Sequence, residues 1–309
     1  ASLKALEGPD EKPASRDAPY PKSSTGRRTA FAMWIVDPRN PLTSRVAVNH
    51  IWLRHFGQPL VDPVEDFGRR TKAPPLQELL DWLAVDFQDN GWSMKHLHRL
   101  MVTSQAYRRS TGIRDADPAT FKTDSTNQYF WRRVPVRMES QVVRDSVLHL
   151  AGVLDPEMGG PTENPKDFNV RRRSLYFRQS RDDQNAFVGM FDDADIQRCY
   201  RRSESIVPQQ ALAMANSRLT LEMSQKISTK IAEQISSLTP TDGDHDSLFI
   251  RGAFEILLTR QPTEAELSEC RSTLSQLVEV LNDNSDGKTR AQSAIVHALL
   301  NHNDFVTIR

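Results

Sequence analysis

Cysteine is almost missing from this chain, which has only Cys199 and Cys270. Two cysteines build no disulfide framework, and neither stands in the CxxC or CxxCH spacing of metal, redox or haem sites. One bridge between them in an oxidising compartment, or none, remains open. Long apolar runs are absent too: no stretch reaches the roughly 18 apolar residues that a membrane span needs. Charge of one sign is not in excess, because 40 Lys plus Arg stand against 40 Asp plus Glu, giving a formal net charge of zero. That balance disfavours nucleic-acid binding, which calls for a basic surface. No GxSxG elbow, P-loop, HExxH or GxGxxG motif occurs. The opening ASLKALEGPDEKPASRDAPYPKSS lacks both an initiator Met and the apolar h-region of a signal peptide. It reads as the start of an excised fragment or processed product whose targeting signal lies elsewhere.

What is present is enough apolar content, 38% of residues, to build a core. Residues 1–25 are rich in Pro, Ser, Lys and Asp and read as an extended arm or linker. Residues 26–309 read as a single helical domain in three parts: a Trp-rich half, 26–154, an Arg/Asp-rich loop region, 155–207, and a second helical half, 208–309. All five tryptophans fall in the first part, which predicts one aromatic-rich core. Apolar residues at helical spacing predict helices over 26–37, 40–57, 76–87, 93–109 and 138–154. The first is closed by the DPRNP stretch, and Ser93 is the expected N-cap of the fourth. In the middle part only RRSLYF, 172–177, alternates as a strand would. Periodicity then returns in one helix from Pro208 to about Ile235 with Leu212, Leu219, Met223, Ile227 and Ile231 on a stripe, and TEAE at 263–266 is a capping box. The fold class is therefore mainly α, a multi-helix, bundle-like domain with a long irregular central segment and at most a small β element.

NPLTSRVAVNHIWLRHFG, residues 40–57, poses the sharpest question, since its apolar seam of Leu42, Val46, Leu53 and Phe56 contains Asn49. A buried amide without partners costs about 1–3 kcal/mol, so Asn49 must be hydrogen-bonded. We read it as a structural amide, with Arg45 and Asn49 tying the helix to the following irregular connection and to Asp66. His50 and His55 diverge on a helix, as do His96 and His98, so neither pair shares a metal.

Arginine forks bind carboxylate or sulfate groups in bidentate fashion. The candidates for an anionic ligand are Arg171, Arg172, Arg178, Arg181, Arg201 and Arg202. Their alternative employment is internal, pairing with neighbouring aspartates and carbonyls to hold a long loop. Asp192, Asp193 and Asp195 could gather a hard cation, although they fit no EF-hand spacing and suit a helix start as well. Were the chain an enzyme, His50, His55, Asp66 and Glu139 are its candidate catalytic groups, and they would have to meet in one pocket.

Read together, NPLTSRVAVNHIWLRHFGQPLV, EDFG, ELLDWLAVDF, GWSMKHLHRLMVTSQAYRRS, VRMESQVVRDSVLHLAG, RRSLYF, FDDADIQRCYRRSESIVPQQALAMANS, LTRQPTEAE and ALLNHNDF resemble a planctomycete-specific domain of unknown function (DUF1553, PSD1). The likeness covers residues 26–308. It implies a place at the C-terminus of large exported proteins that often carry a cytochrome c-like domain, hence an extracytoplasmic location. Any haem would then belong to a companion domain, with no cofactor in this chain. The chain departs from the family's Thr-His-Pro-Glu helix start, having Pro75, Leu76, Gln77 and Glu78 there. No catalytic residue comes over from the family. The expected function is a non-catalytic interaction module that binds a companion domain or an anionic polysaccharide, with no membrane span and no nucleic acid. The alternative is an extracytoplasmic hydrolase or oxidoreductase acting on carbohydrate.

Overall fold

The computed structural model describes residues 26–68, 71–113, 117–180, 182–191, 208–238, 244–281 and 286–308. These contain twelve α-helices and one two-stranded sheet, so the chain is mainly α. Two compact units emerge, one ending at Val136 and the other spanning Arg137–Ile308.

The first unit is built on α1 (Arg27–Ile35), α2 (Thr43–Phe56), α3 (Gln77–Asp89), α4 (Met94–Thr103) and the short α5 (Pro118–Thr123). Its core takes Val48, Trp52 and Phe56 from α2, Leu80, Leu83 and Phe87 from α3, Leu97 and Met101 from α4, and Phe130. Trp52 stacks on Phe56 at 3.9 Å between ring centroids and meets Phe130 edge-on at 5.1 Å. This core is rich in aromatic residues, but not every tryptophan enters it: Trp52 is buried, whereas Trp82 is 56% exposed on the outer face of α3. Two caps set the helix ends. Ser93 accepts from the His96 N–H at the start of α4, as its position predicts. Gly57 ends α2 in the left-handed region at φ 74°, and a Cβ there would meet Val136 Cγ2 at 2.9 Å. Only glycine satisfies both conditions.

The second unit comprises α6 (Ser140–Leu150), α7 (Ala186–Met190), α8 (Pro208–Asn216), α9 (Arg218–Leu238), α10 (His245–Leu258), α11 (Glu264–Leu281) and α12 (Gly287–Leu300). The sheet pairs β1 (Val136–Arg137) with β2 (Thr307–Ile308). Met223, Ile227 and Ile231 of α9 pack with Phe249, Ile250 and Phe254 of α10 and with Ile295, Val296 and Leu300 of α12. The helix expected from Pro208 to Ile235 is broken at Ser217, whose hydroxyl accepts from the Thr220 N–H and starts α9 anew. Leu212, on the far side of the break, is 57% exposed. The capping box forms as the sequence indicates: Thr263 N–H donates to Glu266 Oε2 at 2.8 Å, and Glu266 N–H donates to Thr263 Oγ1 at 3.3 Å.

RRSLYF is not a strand. Residues Ser174–Tyr176 form a 3-10 turn, with isolated bridges joining Asp155 to Arg172 and Glu163 to Phe177. Residues of α6, far upstream, impose this conformation.

Candidate functional site

The amide of Asn49 is fully buried and makes three bonds to one short stretch of backbone. Its Oδ1 accepts from the N–H groups of Leu60 and Val61 at 2.8 and 2.9 Å, and its Nδ2 donates to the Val61 carbonyl at 2.9 Å. A side chain in an apolar seam thus replaces the sheet or helix partners that the connection after α2 lacks. Arg45 turns elsewhere: its Nε donates to Asp81 at 2.6 Å and its Nη1 to the Pro41 carbonyl at 2.7 Å. Asp66 accepts from the Gly68 N–H at 2.8 Å within its own turn. Asp81 also lines a hollow of about 630 Å³ with Pro75, Leu76, Gln77, Glu78 and Leu79.

In the central segment several guanidinium groups bond to the chain itself, and one from α6 reaches into it. Arg144 of α6 is 4% exposed and directs Nη2 to the Val170 carbonyl at 2.7 Å and Nη1 to the Arg172 carbonyl and Ser174 Oγ, both at 3.1 Å. Burial pulls its pKa below the ordinary arginine value, while Asp145 beside it opposes the shift. Asp145 accepts from the Ser174 N–H at 2.9 Å and from its hydroxyl at 2.6 Å. Together these two side chains bend RRSLYF out of the extended form. Arg172 lies 3.9 Å over the Tyr176 ring and donates to the carbonyls of Gly159 and Pro161 and to Glu163. Arg171 donates to the carbonyls of Phe168 and Val170, and Arg178 pairs with Asp183, which Lys166 also holds at 2.7 Å. Arg181, Arg201, Arg202, Asp192, Asp193, Asp195 and Cys199 lie outside the described residues. Cys270 is a half-buried free thiol, and burial pushes its pKa up. Among the described residues no three His, Cys, Asp or Glu side chains gather as a metal would require.

The candidate catalytic groups divide between the units. Glu139 is the N-cap residue of α6 in the second, while His50, His55 and Asp66 belong to the first. Burial, reinforced by Arg54 and opposed by Glu65, keeps the pKa of His50 below the usual histidine value. His55 faces a different group of residues. Its Nε2 lies 2.7 Å from Nδ1 of His98 on α4, with the rings at 74°. Tyr107 meets His55 edge-on at 5.8 Å, and Arg133 Nη2 donates to the Tyr107 hydroxyl at 3.1 Å with its guanidinium 4.0 Å over that ring. Burial lowers the pKa of His55 most, followed by the nearby His98 and Arg133. Sequence reasoning missed this cluster, because its two histidines are 43 residues apart and only the packing of α4 on α2 joins them.

A family profile described as PSD1, protein of unknown function (DUF1553), matches residues 27–274. Comparison with curated proteins and with solved structures finds no match.

Proposed function

This chain belongs to the PSD1 family of unknown function, DUF1553, and from that premise we propose that it is a non-catalytic interaction module of an exported multidomain protein. It docks on a companion domain of the same polypeptide. One observation carries this reading. Helix α1 buries none of its residues, and Phe31 and Met33 are 59% and 65% exposed, with Val36 just beyond at 53%. An apolar helix left outside the core marks an interaction surface, because each such side chain contributes about 1.5–3 kcal/mol once covered.

The companion domain is favoured over an acidic glycan by the chemistry of that face, which is apolar and aromatic, with Phe31 and Trp34 stacked at 5.9 Å. The extracytoplasmic location and the cytochrome-linked company are supported by the family's usual context, and any haem sits in the companion. Among the described residues no helix is long and apolar enough to cross a membrane. The enzyme reading has no comparable observation behind it.

Calorimetric titration of this chain against the companion domains, expressed separately, tests the proposal. Wild type should bind, and a Phe31→Ser/Met33→Ser variant with an unchanged circular-dichroism spectrum should bind at least about tenfold more weakly, the equivalent of about 1.4 kcal/mol. No binding by wild type, or equal binding by both, defeats it.

A further inference from the structure

Four arginines, Arg108, Arg109, Arg132 and Arg133, adjoin Tyr107 or one another in sequence. Arg108 and Arg109 donate to the carbonyls of Thr103 and Trp131 at 3.2 and 2.8 Å. The Nε atoms of Arg132 and Arg133 are buried and unpartnered. Among the described residues, no carboxylate pairs with any of these four arginines. The nearby Asp124 is committed to its own turn, accepting from the N–H groups of Gln128 and Tyr129 at 2.9 Å.

We propose that His55, His98, Tyr107 and Arg133 form a binding site for a tetrahedral oxyanion, the sulfate or phosphate group of a monoester ligand. The site is independent of the docking face on α1. Its donors match such a group. Arg133 offers a planar fork suited to two oxygens of one anion. The Tyr107 hydroxyl accepts from Arg133 and keeps its own O–H to donate. The two imidazoles supply the rest. Their mutual hydrogen bond needs one N–H and one lone pair, so it exists only while that lone pair is free. A further proton converts the lone pair into a second N–H, which breaks the 2.7 Å contact, and an oxygen that enters as the rings separate then accepts from both. Anion and proton therefore bind together. The anion stabilises the protonated form of His55 that burial, His98 and Arg133 otherwise disfavour, and linkage makes affinity rise as pH falls through the histidine range.

The test is a titration of the whole chain with inorganic sulfate, then inorganic phosphate, at constant ionic strength in chloride, following the ring resonances of His55 and His98 by NMR. The proposal expects a saturable shift at both rings, and for sulfate, whose charge is constant over this range, binding about tenfold tighter at pH 5.5 than at pH 7.5, which spans the usual histidine pKa. Arg133→Gln should weaken it at least about tenfold, while Arg133→Lys, which keeps the charge and loses the fork, should retain part. If Arg133→Gln does not fold, His98→Gln serves in its place. Tighter binding of sulfate points to a sulfate ester as the natural group, and tighter binding of phosphate to a phosphate ester. A linear response equal to that of chloride, or saturation unchanged in Arg133→Gln or His98→Gln, overturns the proposal.

Discussion

Between Asp155 and Arg178 the guanidinium groups of Arg171, Arg172 and Arg178 donate to carbonyls and carboxylates, and two of them also lie over aromatic rings; between Tyr107 and Arg133 those of Arg108, Arg109 and Arg133 donate to carbonyls and a hydroxyl and, among the described residues, meet no carboxylate. The two regions have similar composition, and the difference lies in what the backbone around them needs. The central segment has almost no regular structure, so its carbonyls lack ladder or helix partners, and Arg144, Arg171 and Arg172 supply the missing donors. The region before Arg133 follows α4 and contains α5, where the helices satisfy much of their own backbone. Its arginines are left over. A count of arginines measures neither stability nor binding; the number of acceptors each guanidinium already has decides between the two.

The largest effect should come from Arg144, which joins α6 to three points of the central segment. Arg144→Met keeps the length and the apolar stem over Phe177, 4.7 Å away in the native protein, but strands the carbonyls of Val170 and Arg172 and leaves Asp145 without its cation. Breaking one side of a buried charged network costs about 3–5 kcal/mol. Urea unfolding of wild type and variant measures this directly, and a loss below about 1 kcal/mol would erase the distinction drawn between the two regions.

How much of this was legible beforehand depends on the range of the interaction. The helices and their core stripes were legible because helical periodicity is local: Met223, Ile227 and Ile231 are buried as their spacing requires. Asn49 was legible for a physical reason as well, since an amide in an apolar seam must find partners, and the backbone at Leu60 and Val61 supplies them. The break at Ser217 was hidden by an uninterrupted stripe, because a capping serine is indistinguishable from any other serine until the chain turns. The alternation in RRSLYF misled because Arg144 and Asp145, about thirty residues upstream, hold Ser174 from both its backbone and its hydroxyl. The pairing of His55 with His98 had no local signature at all.

Arg172 should show an intermediate effect. Its side chain is 12% exposed and closes the turn at Gly159 and Gly160, both at positive φ, by donating to the carbonyls of Gly159 and Pro161. Arg172→Gln shortens the reach and removes the stack on Tyr176, for a loss of about 1–2 kcal/mol. Hydrogen exchange of the amides from Glu157 to Glu163 should report it as faster local opening, with the core of α9 unaffected. Unchanged exchange in that turn would mean that the glycines hold it alone.

The smallest effect is expected at Arg133. Its contacts are a hydroxyl and the face of Tyr107, both half-buried, and its charge lies near His55 with no carboxylate to offset it. Arg133→Gln loses the cation–π contact, worth about 0.5–1 kcal/mol at an incompletely desolvated site. It also relieves repulsion and the burial of an unpartnered Nε. These terms nearly cancel, so stability in chloride should change by less than about 0.5 kcal/mol, far less than at Arg144. The pKa of His55 should meanwhile rise toward the ordinary histidine value, because one of the three causes that depress it is gone. An NMR pH titration of His55 in wild type and Arg133→Gln separates the two readings of this residue. A raised pKa with unchanged stability means that the guanidinium is held for its charge and not for the fold, whereas a loss comparable to that at Arg144 makes it one more internal clamp.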